Sequence, residues 1–150
     1  MSKANNVIRY TKIATIIFIL LVVIADVFGY FIVNYITRIW ADRSDAFAMI
    51  TLGTVYYLGT AGAYVVLFSL YRLLNNMSKD IVFDMKNTKL MKVIAIACAL
   101  MGVDCMVGTI AWFGTIYAGI ICFFMVLIIL CVKAVFEKAI EMKDELDLTI

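Results

Sequence analysis

Residues 93–132 read VIAIACALMGVDCMVGTIAWFGTIYAGIICFFMVLIILCV, and the single charge among them is Asp104. A run this apolar belongs in a bilayer, where backbone polar groups must be satisfied within helices or a closed barrel. A spanning helix needs about 20 residues, so one helix through the whole run would overshoot. Gly108, Thr109, Trp112, Phe113 and Gly114 supply a break, read as a tight turn with Trp112 at the membrane interface. An unbroken helix, giving three spans in all, is the alternative. Two further apolar runs lie upstream. The expected helices are about 13–36, 47–74, 90–107 and 116–146, in one membrane domain covering 1–150. The fold class is all-α, an integral membrane four-helix bundle whose fourth helix extends into the aqueous phase.

The composition supports that class. Hydrophobic residues make up 65% of the chain, against about 45–50% in a soluble domain. The first run is too long for the apolar core of a signal peptide and no small-x-small cleavage site follows it, so it is read as a retained helix. There is no histidine, the commonest general base, zinc ligand and pH switch. No GxSxG, HExxH, P-loop or glycine-rich dinucleotide turn occurs. The expectation is a protein that is not an enzyme and holds no cofactor or metal. Cys98, Cys105, Cys122 and Cys131 all fall inside apolar runs without CxxC spacing, and read as small apolar filler, with a disulfide between the third and fourth helices left open.

Charge sets the orientation. Lys3, Arg9, Lys12, Arg72, Lys79, Lys86, Lys89, Lys92, Lys133, Lys138 and Lys143 fall on one side of the four runs, which is 11 of the 13 basic residues. Arg38 and Arg43 fall on the other. By the positive-inside rule both termini and the middle loop are cytoplasmic, in a multi-pass membrane protein. The partners read from this are the lipid bilayer and, at the charged cytoplasmic face, a soluble protein. A homo-oligomer is left open, and no direct nucleic-acid binding is expected.

Two carboxyls stand inside the spans. Asp26 lies 14 residues after Lys12, and Asp104 lies 12 after Lys92. Those separations correspond to about 21 and 18 Å of helix rise, so both reach similar depths near the midplane. A central charge costs about 2.5–3.5 kcal/mol on insertion scales, and no Lys or Arg lies at that depth. The pair is therefore expected to be protonated, or to share one proton. Thr54, Tyr57, Thr60 and Tyr64 of the second helix are the candidate partners, and Gly59-Thr60-Ala61-Gly62-Ala63 is a small-residue stretch suited to close helix packing. Three roles stay open for Asp26 and Asp104: polar glue between helices, a proton or cation site, or a site for a cationic ligand. An intramembrane aspartyl dyad is weakly supported, since Cys105 follows Asp104 where such sites carry glycine.

The second candidate site is the middle loop. Asp84 is an expected N-cap for the third helix, with Phe83 as a hydrophobic staple onto the following turn. Lys133 and Glu137 are spaced for an ion pair along the fourth helix. Loop residues Asp84, Lys86, Asn87 and Lys89, with the tail Asp147, Leu148, Thr149 and Ile150, form one candidate docking surface. The loop cations alone could instead bind anionic lipid.

Val82, Phe83, Asn87 and Leu90, together with Phe136 and the ending Glu145-Leu146-Asp147-Leu148-Thr149-Ile150, resemble a bacterial family of small four-helix membrane proteins of unknown function. Its members carry a Val-Phe-x-x-x-Asn loop with a leucine beyond, and end in Asp-Leu-Thr-Ile. Many have glycine before the Val-Phe pair, where this chain has Asp80-Ile81. Members are often encoded beside a Cro-type helix-turn-helix regulator. The resemblance thus implies a membrane protein that senses a membrane or envelope signal and controls a small transcription regulator. The alternatives are a small cation- or proton-coupled transporter using Asp26 and Asp104, and an immunity protein against a membrane-active peptide.

Overall fold

The computed structural model describes residues 3–42, 45–79 and 81–148, with side chains from 5 to 146 within those ranges. Arg43, Thr149 and Ile150 lie outside the described residues, as do the side chains of Asp147 and Leu148. Helix α1 (Lys3–Val27), α2 (Gly29–Tyr35) and a π-helical segment (Ile36–Trp40) come first, and the first candidate span is Asn5–Val27 within α1. They are followed by α3 (Ala46–Met77), α4 (Met85–Gly108) and α5 (Thr115–Leu148). Among the described residues four helices are long and apolar enough to cross a membrane. The turn at 109–114 is present, which removes the three-span alternative.

The ends of these helices have local causes. The π segment closes with Ala41 N–H donating to Ile36 O at 2.9 Å. Asp42 then takes φ 47°, a left-handed conformation that Asp tolerates better than most residues, and the chain turns back. Asp45 caps α3, its carboxylate accepting from Ala48 N–H at 3.2 Å. Asp84 caps α4, accepting from Lys86 N–H at 2.7 Å, as the loop sequence predicts. The capped helix begins at Met85 rather than near residue 90, so Lys86, Lys89 and Lys92 ride on its first turns. By length, α3 and α5, with 32 and 34 residues, outrun a hydrocarbon core of about 30 Å at 1.5 Å per residue.

Packing proceeds in chain order: α1 and α2 lie on α3, α3 on α4, and α4 on α5. Among the described residues α1 makes no close backbone approach to α4 or α5. Small residues set the seams. Gly62 of α3 faces the Met101 side chain of α4. A β-carbon on Gly119 of α5 would lie 3.2 Å from the Gly102 carbonyl of α4 and 3.4 Å from Cys105 Cβ. Without water-driven association between apolar helices, this close fit supplies much of the attraction. The four cysteines are free.

The hairpin tips are joined at the end away from the chain termini. Trp40 and Trp112 meet edge to face at 6.3 Å, above a small core of Val33, Ala48, Leu52 and Ala111. Trp112 is therefore more than an interfacial anchor, because it ties the turn after α4 to the first hairpin. At the opposite end, Lys12 Nζ donates to Asn75 Oδ1 at 2.8 Å and sits 5.0 Å from the centre of the Tyr71 ring. Phe83 packs on Phe136 of α5 at 5.9 Å, so two residues of the loop-and-exit resemblance meet in space. Lys133 Nζ donates to Glu137 Oε1 at 2.6 Å, the expected pair.

Candidate functional site

The seam between α1 and α3 is a line of tyrosines. Tyr57, Tyr64 and Tyr71 are spaced by seven, close to two helical turns, so they share one face. Tyr71 meets Lys12. Tyr64 Oη donates to Asp26 Oδ2 at 2.9 Å. Tyr57 lies over Gly29, where a β-carbon would come within 2.7 Å of its hydroxyl. Tyr56, beside it, donates to the Ala25 carbonyl at 2.8 Å. The bond to Ala25 falls just before the interruption at Phe28, where a carbonyl in hydrocarbon needs a donor other than water. Reading Tyr56 as a partner required knowing where α1 is interrupted. The tyrosine stripe itself was present in the seven-residue spacing.

Of the four residues expected beside the carboxyls, one reaches Asp26. Tyr64 binds it. Tyr57 instead stacks edge to face with Tyr56 at 5.3 Å and is 49% exposed. Thr60 turns back on its own helix, donating to the Tyr57 carbonyl at 3.1 Å, and Thr54 does the same to Ile50 O. Both leave the carboxyls alone because a hydroxyl on a helix finds the preceding turn within reach.

Asp26 and Asp104 do not form a pair. Asp26 faces Tyr64, whereas Asp104 Oδ2 lies 4.0 Å from where a β-carbon on Gly59 would stand. Positions 59 and 64 are roughly 140° apart around α3. Since α1 and α4 make no close approach, α3 separates the two carboxyls, and the expectation of a shared proton is set aside. Each acid retains one buried oxygen without a hydrogen-bond partner among the described residues, Asp26 Oδ1 and Asp104 Oδ2. A double-mutant cycle of Asp26→Leu with Tyr64→Phe should show a coupling of about 0.6–1.7 kcal/mol, the range for membrane-buried hydrogen bonds. Denaturant titration in mixed micelles reads it, and additive losses would mean that the bond contributes nothing to stability.

The loop between α3 and α4 is built around Asn87. Its side chain is 0% exposed. Asn87 Nδ2 donates to the Ile81 and Val82 carbonyls, each at 2.8 Å, and Asn87 Oδ1 accepts from Asn76 Nδ2 at 2.9 Å. One side chain thus fastens the loop to the end of α3 and the start of α4. This corrects the expectation of Asn87 as a docking residue, because a side chain with no exposed surface cannot touch a partner. Lys86 and Lys89 are exposed around it, as are Ile81, Phe83 and Met85. Asp84 is half-buried and occupied as a cap.

Fold and seams together define an all-helical multi-pass membrane protein with an internal tyrosine–carboxyl seam and a clamped loop at its basic end. The chain belongs to DUF2975, a family of proteins of unknown function, whose model matches residues 35–150. The matched region takes in Tyr64, Asn87 and Asp104. No curated protein and no solved structure matches the chain.

Proposed function

We propose that this protein is a non-enzymatic membrane regulator that responds to a change in its membrane-embedded seams and holds or releases a soluble partner at its basic end. The basic end lies in the cytoplasm, following the distribution of Lys and Arg, and the membrane is a bacterial cytoplasmic membrane. The partner is a small helix-turn-helix transcription regulator with an acidic and partly apolar docking face. The observation that most supports this reading is the construction of the loop. Asn87 holds the loop rigid with three hydrogen bonds, while Lys86, Lys89, Phe83 and Met85 stay exposed on it. A preorganised patch loses less freedom on docking than a mobile loop would. Phe83 leans on Phe136 of α5, so a shift of α5 in the membrane displaces the patch. The tail Asp147–Ile150 is assigned to the same surface.

Crosslinking and affinity capture from native membranes test the reading. The expected catch is a small DNA-binding protein, reduced when Lys86→Glu and Lys89→Glu are combined and when residues 147–150 are removed, with membrane insertion unchanged. Recovery of the chain alone, or a catch indifferent to those changes, rejects it. One observation favours a second reading, a small cation-coupled transporter: the buried Asp104 Oδ2 has no hydrogen-bond partner among the described residues. That reading requires Asp104→Asn to abolish ion-coupled flux in proteoliposomes while the protein stays folded.

A further inference from the structure

A groove of about 620 Å³ opens sideways along the seam of α3 and α4. Its volume falls within the range of about 300–1,000 Å³ of small-molecule sites. Small residues create it: Ala61 on α3 and Ala97 on α4 leave room between larger neighbours such as Leu58 and Leu100, while Met101 fills the space over Gly62. Among the described residues Asp104 is the one ionisable residue in its wall, and every other lining residue is apolar or glycine. Asp104 Oδ2 is buried and unpartnered among the described residues, whereas Asp26 has Tyr64 on one oxygen. The basic residue preceding it on α4, Lys92, is twelve residues back, about 18 Å along the helix.

The apolar walls face lipid, and an acyl chain would fill them. An acyl chain would also leave the carboxyl with no hydrogen-bonding group, the costly arrangement in hydrocarbon. The matching occupant has an alkyl body and a nitrogen head. We propose that this groove binds a membrane-dissolved long-chain primary amine, with its nitrogen on Asp104 and its alkyl chain along Leu58, Ala61 and Leu100. A primary amine suits either protonation state of the acid. As an ammonium it donates to the carboxylate, and as a free amine it accepts from the carboxylic acid. Such a ligand gives the regulatory reading a class of signal, and only in that consequence does the proposal rest on that reading. Binding to the isolated protein tests the groove, while partner capture tests the regulator, so either can fail alone.

The experiment uses the purified full chain in phosphatidylcholine nanodiscs with tritiated dodecylamine as probe, empty nanodiscs giving the background. Saturable binding is expected, displaced by unlabelled dodecylamine but not by dodecanol. Asp104→Asn should weaken it by about tenfold or more, the scale of a hydrogen bond to a charged group. Asp26→Asn should leave it unchanged. Ala61→Phe narrows the groove without touching the carboxyl and should weaken binding as well, which keeps the test decisive if Asp104→Asn misfolds. Equal displacement by dodecanol would overturn the proposal in favour of a plain acyl-chain groove. Undiminished binding to folded Asp104→Asn would overturn it too. So would an absence of saturable binding, whether or not Leu100→Cys then crosslinks one chain to a second copy.

Discussion

Asn87→Leu is expected to release the loop between α3 and α4 and to cost about 3 kcal/mol. The side chain makes three hydrogen bonds from a fully buried position, each with a net contribution of about 1 kcal/mol. Leucine would also leave the Ile81 and Val82 carbonyls and the Asn76 amide without their partner, although bending of the loop toward water recovers part of that loss. The informative companion is Asn87→Asp. Aspartate keeps an oxygen for Asn76 but cannot donate to two carbonyls, so it should fail nearly as badly as leucine. Limited proteolysis across residues 78–84 reads the loop directly, and denaturant titration in mixed micelles reads the global loss. A loop as protease-resistant in Asn87→Asp as in the parent chain would show that the two donor bonds do not hold it. The proposed docking surface rests on a rigid loop, so under that proposal the same variants should release the partner without affecting insertion.

Gly29→Leu is the second large effect, expected at about 2 kcal/mol from overpacking. A β-carbon there would meet the Tyr57 hydroxyl at 2.7 Å and Tyr56 Cε1 at 2.9 Å. Tyr57 is half-exposed and can swing away. Tyr56 is held by its bond to the Ala25 carbonyl, so α1 and α3 must part or that bond must break. Parting them also strains the Tyr64–Asp26 bond. Tyr56→Phe in the Gly29→Leu background separates the two costs: once the bond is gone, the added penalty of phenylalanine should nearly vanish. Gly29→Leu with unaltered stability, measured by helical circular dichroism during denaturation in micelles, would show that the seam has slack at this point.

The two carboxyls illustrate how far residue counting reaches. Counting from Lys12 and Lys92 placed Asp26 and Asp104 at similar depth, and the structure sets them against α3 at positions 64 and 59, about 7.5 Å apart along its axis. Counting said nothing about which side of α3 each would face. Asn87 shows the same division from the other direction. Its place in a Val-Phe-x-x-x-Asn pattern marked it, but position in a polar loop suggested an outward-facing contact. The reason it turns inward is tertiary: the loop brings the Ile81 and Val82 carbonyls and the Asn76 amide to one point, and an amide side chain satisfies all three.

The sequence by itself determined four spans, the turn near Trp112, the cap at Asp84, the Lys133–Glu137 pair along the charged exit of α5, and the gathering of basic residues at one end. These are one-dimensional quantities: apolar length set against a bilayer of fixed thickness, and charge counted between spans. Tertiary structure alone decided that Tyr64 rather than Tyr57 or Thr60 takes Asp26, that α3 separates Asp26 from Asp104, and that Phe83 reaches Phe136. A helix apolar on all sides carries no strong signal for its rotation about its own axis. That rotation is set by close contacts at Gly29, Gly62, Gly102 and Gly119 and by a few tyrosine hydrogen bonds, which exist only once the helices have met.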